Sequence, residues 1–121
     1  MFARTVRFFL LGMLSMTTAE VAAHAVLTES SLKQYPIHIN QPTEVVLDFN
    51  SRVELPLSRV FLVSKGDVYT ALNIAKGKKP GRMIITIPAL EEGDYALKYK
   101  VFASDGHLTE DVIRFKVSAK R

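Results

Sequence analysis

The sequence predicts an all-β domain, an antiparallel sandwich of about seven short strands. Three observations carry that expectation. Apolar residues recur with period two in segment after segment, turn-forming residues separate the segments, and no helix-length window holds a helical apolar stripe.

Taken in order, Ala25-Val26-Leu27 leads through a polar stretch, Thr28 to Ser31, to Tyr35-Pro36-Ile37-His38, with Pro36 and Pro42 bracketing an irregular segment. In Thr43–Phe49 the residues Val45, Leu47 and Phe49 fall on one face and Glu44 and Asp48 on the other, the mark of a half-buried strand. Pro56 separates it from the more continuously apolar Arg59–Val63, and Lys65-Gly66-Asp67 reads as a turn. Val68–Ile74 is expected to be one strand, with a short helix as the weaker option. A basic loop follows it, and then Arg82–Ile87, where Met83, Ile85 and Ile87 are in phase. After the turn Glu91–Asp94, a long strand places Tyr95, Leu97, Tyr99 and Val101 inward. The last strand, Val112–Val117, places Ile113, Phe115 and Val117 inward. His38, between Ile37 and Ile39, reads as a hydrogen-bonded packing residue, because no second donor stands beside it at ligand spacing.

The first 23 residues have the form of a cleavable export signal. Arg4 and Arg7 precede an apolar run, Phe8–Leu14, too short to span a bilayer, and Val21-Ala22-Ala23 is a small-residue cleavage pattern. Cleavage after Ala23 makes His24 the first residue of a mature chain, 24–121, long enough for one small domain. Its net charge is +3, from 14 Lys and Arg against 11 Asp and Glu, too small an excess to argue for nucleic acid. The cluster Lys76, Lys78, Lys79 and Arg82 surrounds Gly77, Pro80 and Gly81 without interleaved aromatic residues, so it reads as a solvated loop. There is no cysteine. Disulfides, thiolate ligands and cysteine-linked lipid are therefore excluded, and the core alone must hold the domain together.

The chemistry-bearing stretch is Ser104-Asp105-Gly106-His107. On an extended segment, Asp105 and His107 would leave the same face, and Gly106 between them admits a turn. A mature N-terminal His24 would add two nitrogens, since its α-amine and imidazole Nδ1 can close one chelate ring. Reference pKa values of about 8 and 6.5 allow a metal to displace both protons near neutral pH. Three nitrogens and a carboxylate oxygen in a tetragonal plane suit Cu(II), with tetrahedral Zn(II) the competitor. On the residues alone, a plain surface turn with Asp105 capping nearby amides remains equally open.

The mature chain resembles the CopC family of periplasmic copper-binding proteins. The resemblance rests on His24-Ala25-x-Leu27, Val45-x-Leu47-x-Phe49, Pro88-Ala89-Leu90 with Gly93-Asp94-Tyr95, Val101 through Ser104-Asp105-Gly106-His107, and Phe115-x-Val117. It implies an Ig-like, cupredoxin-like Greek-key sandwich that is not an enzyme. It implies one Cu(II) per chain, held by His24 (amine and imidazole), Asp105 and His107, in a periplasmic monomer. It also makes an inner-membrane CopD-like transporter a plausible partner. Some members of the family add a methionine-rich Cu(I) site. Here Met83 is the sole methionine after the signal, so that second site is expected to be absent. Two other readings are compatible with the residues. One is a copper oxidase of the lytic polysaccharide monooxygenase type, against which stand the equatorial carboxylate and the absence of tryptophan. The other is a metal-free exported interaction module.

Overall fold

In the computed structural model, which describes residues 25–119, the period-two segments become two facing sheets. The expected signal, residues 1–23, and His24 lie outside the described residues. One sheet has four strands in the order β1-β3-β7-β6, namely Leu27–Ser30, Thr43–Phe49, Arg82–Ile87 and Asn73–Lys76. The other has five in the order β2-β9-β8-β4-β5, namely Ile37–His38, Leu108–Ser118, Gly93–Phe102, Arg59–Ser64 and Val68–Ala71. All pairings are antiparallel except the short β2–β9 contact, which is parallel. No helix among the described residues is long and apolar enough to cross a membrane.

The expected inward positions form the core. Val45, Leu47 and Phe49 face Met83, Ile85 and Ile87 within one sheet, and against them pack Val60, Leu62, Leu97, Tyr99, Val101 and Val117 of the other. An edge-to-face pair, Phe49 and Tyr99 at 5.6 Å between ring centroids, joins the two sheets. Burial, reinforced by the charge of Asp111 on the neighbouring strand, pushes the Tyr99 phenol above its ordinary value.

Among the described residues nine strands form where about seven were expected: Leu27–Ser30 and Ile37–His38, read as polar and irregular, are strands, and two further segments differ. Val68–Ile74 is not one strand. The chain leaves the five-stranded sheet at Leu72, whose N–H donates to the Val60 carbonyl at 2.9 Å, and re-enters the other sheet as β6. A half-buried Leu72 packed on the core marks that corner. The last strand also begins earlier, at Leu108, because ladder pairing with β8 carries the polar residues Thr109, Glu110 and Asp111 that an apolar pattern does not reveal.

Asp48 obeys the period but not its usual consequence. It points away from the core yet is only 8% exposed, because Arg82 on β7 grips it with two bonds, Nε to Oδ1 at 2.7 Å and Nη2 to Oδ2 at 2.8 Å. The Arg82 hydrogen bonds hold the Asp48 carboxyl below the usual carboxylate range. Partial burial opposes them, and the charges of Arg82 and Lys79 assist. A depressed native pKa stabilises the fold above the unfolded-state pKa of about 4, and that stabilisation disappears as pH falls through the native value. Replacing Arg82 by Met is therefore expected to move the midpoint of acid unfolding upward, readable by circular dichroism between pH ~2 and ~5. An unchanged midpoint would show that the pair contributes nothing to acid resistance.

Candidate metal centre

The β8–β9 hairpin closes on Ser104-Asp105-Gly106. The Ala103 N–H donates to the His107 carbonyl and the Gly106 N–H to the Ala103 carbonyl, both at 2.9 Å. Gly106 has φ +93°, the left-handed position that a three-residue hairpin loop places at its end. Asp105 and His107 are thus brought together by a turn and not, as expected from the sequence, by the common face of an extended strand. Asp105 Oδ1 accepts the His107 backbone N–H at 3.0 Å, and its Oδ2 lies 2.7 Å from His107 Nδ1. Which of the two atoms carries the shared proton follows from the tautomer of the ring. Both residues are exposed.

The loop is clamped from behind. Ser104 N–H donates to the Arg52 carbonyl at 3.1 Å, and Val53 bridges Ala103. Ser58 Oγ, wholly buried, accepts the Phe102 N–H at 3.1 Å and donates to the Glu54 carbonyl at 2.8 Å. The same segment holds the start of the described chain. Val26 N–H donates to Asn50 Oδ1 at 2.9 Å, and the Asn50 N–H donates back to the Val26 carbonyl at 2.9 Å. Ala25 is fully buried in the core cluster that includes Ala103. Residues 25–26 and the Asp105–His107 loop therefore share one backing strip, residues 50–53.

Asn50 and Ser58 are contributors that the sequence reading did not single out. Their partners lie 24 and 44 residues away, so no local pattern announces them. His24 lies outside the described residues. Among the described residues, no three His, Cys, Asp or Glu side chains gather at metal-binding spacing.

His38 sits elsewhere. It is half-buried on β2, in register with Ser118 at the far end of β9. The length of β9, 11 residues, puts His38 roughly 30 Å from the Asp105–His107 loop. It lines a small hollow with Ile39, Gln41 and Ala119, and its ring makes no hydrogen bond among the described residues, in contrast to the bonded packing role expected of it. Two larger grooves, about 560 and 750 Å³, lie around Asp94 and Tyr95 at that same far end and include neither Asp105 nor His107.

Residues 27–118 match the family model of the CopC domain. The chain belongs to the CopC family. Among solved structures it is similar to CopC from Methylosinus trichosporium OB3b, with 26% identity over 81% of this chain and 97% of that one, at a TM-score of 0.67. It is also similar to PcoC, a methionine-rich copper resistance protein from Escherichia coli, with 25% identity over 79% of this chain and 100% of that one, at a TM-score of 0.62. No curated protein sequence matches. This CopC-family chain is not itself methionine-rich: Met83, the single methionine of the described residues, is a fully buried core side chain on β7.

Proposed function

We propose that this protein is a periplasmic Cu(II)-binding protein of copper homeostasis or resistance, a carrier or sequestering agent and not an enzyme. One Cu(II) per chain is held by the His24 amine and imidazole, Asp105 and His107. The observation that carries the reading is the shared backing strip: residues 25–26 and the Asp105–His107 loop are both fastened to residues 50–53. Val26 follows His24 by two residues, at most about 7 Å of chain, which supports a single site shared by His24 and the loop. Membership of the CopC family and the likeness to a copper resistance protein support copper as the cargo.

Each donor has a separate role. His24 supplies two nitrogens from one residue, so binding of the first holds the second in place at little further entropic cost. His107 supplies an imidazole nitrogen from a loop locked by the Gly106 turn. Asp105 supplies a carboxylate oxygen and negative charge, and its bonds to the His107 backbone N–H and ring Nδ1 keep the two donors side by side. The buried position of Met83 supports a site without thioether ligands. Hand-over to an inner-membrane CopD-like transporter, by a monomeric carrier, completes the proposal.

Intact mass of the exported protein, with and without Cu(II), tests it. The expected chain begins at His24 and gains the mass of one copper. A chain beginning at Ala22 or Ala25 removes the chelating amine from His24 and overturns the site.

A further inference from the structure

The two outer faces of the sandwich differ in charge. On the four-stranded sheet the outward Glu29, Glu44 and Asp48 are offset by Arg82, opposite Asp48 in the ladder, and by Lys79, 3.9 Å from the same carboxylate, so little net charge remains. On the five-stranded sheet, Val60, Leu62, Leu97 and Tyr99 point to the core, so their strand neighbours Arg59, Lys98 and Lys100 point outward. The ladder to β9 places Arg114 and Lys116 on that same outer face. Only two carboxylates of these strands, Asp94 and Glu110, share it. They are absorbed by Lys116 at 3.1 Å and Lys100 at 3.6 Å.

Three cations are left over. Arg59 donates only to the Pro56 and Ser58 carbonyls, and Lys98 stands 5.8 Å from the centroid of the Tyr69 ring. Arg114 has no ion pair among the described residues. Apolar side chains lie open nearby: Tyr69, Val112 and Leu108 are 53%, 42% and 44% exposed, and Tyr69 meets Phe61 edge to face. The cations are spread in rows across the sheet. Arg114 lines the groove of about 560 Å³ with Tyr95 and Phe115, but Arg59 and Lys98 lie outside it, so no single pocket gathers the three into the kind of anchor that dominates protein interfaces.

We propose that this face docks the domain on the surface of a bilayer rich in anionic phospholipid. Lys98 and Arg114 would lie among the phosphates, while their stems and the exposed Tyr69 and Val112 occupy the headgroup layer. The opposite face, where Arg82 and Lys79 offset Asp48, has no comparable positive excess, which turns the basic face toward the bilayer as the domain approaches. Because Phe102 and Leu108 end this sheet next to Ser104–His107, the docked domain would hold that loop close to the membrane surface. The inference rests on charge and register and does not require that the loop bind copper.

The test is co-sedimentation of the processed protein, purified after export without detergent and free of copper. The vesicles are phosphatidylcholine with or without about 30% phosphatidylglycerol, at low salt where exposed charges are least screened. Binding is expected only with phosphatidylglycerol, and it should be lost at about 0.5 M salt. The Lys98→Glu/Arg114→Glu variant should lose at least ~5-fold in bound fraction, whereas Lys33→Glu/Lys78→Glu, with the same change of charge off this face, should bind nearly as well as the parent. Thermal melts establish that both variants are folded. Equal losses in the two variants would reduce the effect to net charge and overturn the proposal. So would binding that salt leaves untouched, or pelleting without vesicles, which is association between copies. Retention on polyglutamate with no vesicle binding would assign the face to an acidic protein and likewise overturn it.

Discussion

One residue added ahead of His24 is expected to lower Cu(II) affinity by orders of magnitude while leaving the fold intact. The addition turns the α-amine into a peptide nitrogen, a poor donor until it is deprotonated, and breaks the chelate that makes His24 worth more than an isolated imidazole. Asp105 and His107 keep their positions, because the Gly106 turn and the Arg52 and Val53 contacts hold them independently of the chain end. The apo protein should melt as before, since among the described residues core packing begins at Ala25 and the first tether is at Val26, both beyond the insertion. Competition titration with a Cu(II) chelator reads the affinity, and electron paramagnetic resonance should lose one coordinating nitrogen. Asp105→Ala should weaken binding less, since water can take the oxygen position, although the His107 ring then loses the carboxylate that steers it. Unchanged affinity in the extended protein would remove the amine from the ligand set.

Gly81→Ala should destabilise the domain by about 1–3 kcal/mol, the range of overpacking in a closed site. A Cβ at Gly81 would stand 2.3 Å from the Phe49 carbonyl oxygen and 2.8 Å from that of Ser51, and neither is the end of a flexible side chain that could swing away. Relief requires the strip after β3 to move. That strip carries Asn50, which holds Val26, and the Arg52 and Val53 contacts that hold the hairpin loop. The melting temperature should fall by roughly 4–8 °C per kcal/mol for a domain of this size. If copper sits where we propose, the same substitution should also weaken its binding, although Gly81 itself offers no ligand. A variant as stable as the parent would show that the strip yields easily and does not fix the geometry of the site.

The sequence by itself determined whatever depends on neighbours along the chain. Period-two alternation set the inward faces of β3, β7, β8 and β9, because in a strand the direction of a side chain follows from its parity. Asp105 and His107 were legible for the same reason. A short loop with glycine in the left-handed position brings residues two apart together wherever the hairpin lies. The export signal and a histidine at the mature start could also be read there, as expectations about residues the structure does not describe.

Tertiary structure alone decided what depends on which strands become neighbours. Parity turned Asp48 outward, but only the β3–β7 register set Arg82 against it and buried it. Nothing near Leu72 in the chain states that the strand there changes sheets, because the decision lies with Val60 across the fold. Asn50 and Ser58 are ordinary polar residues until the sandwich closes and brings Val26 and Phe102 to them. The basic excess of one outer face comes from summing over strands distant in sequence, so a net charge read along the chain conceals it. His38 had the right chemistry for a ligand and the wrong address: its strand pairs with the last residues of β9, one sheet length from the loop at which β9 begins.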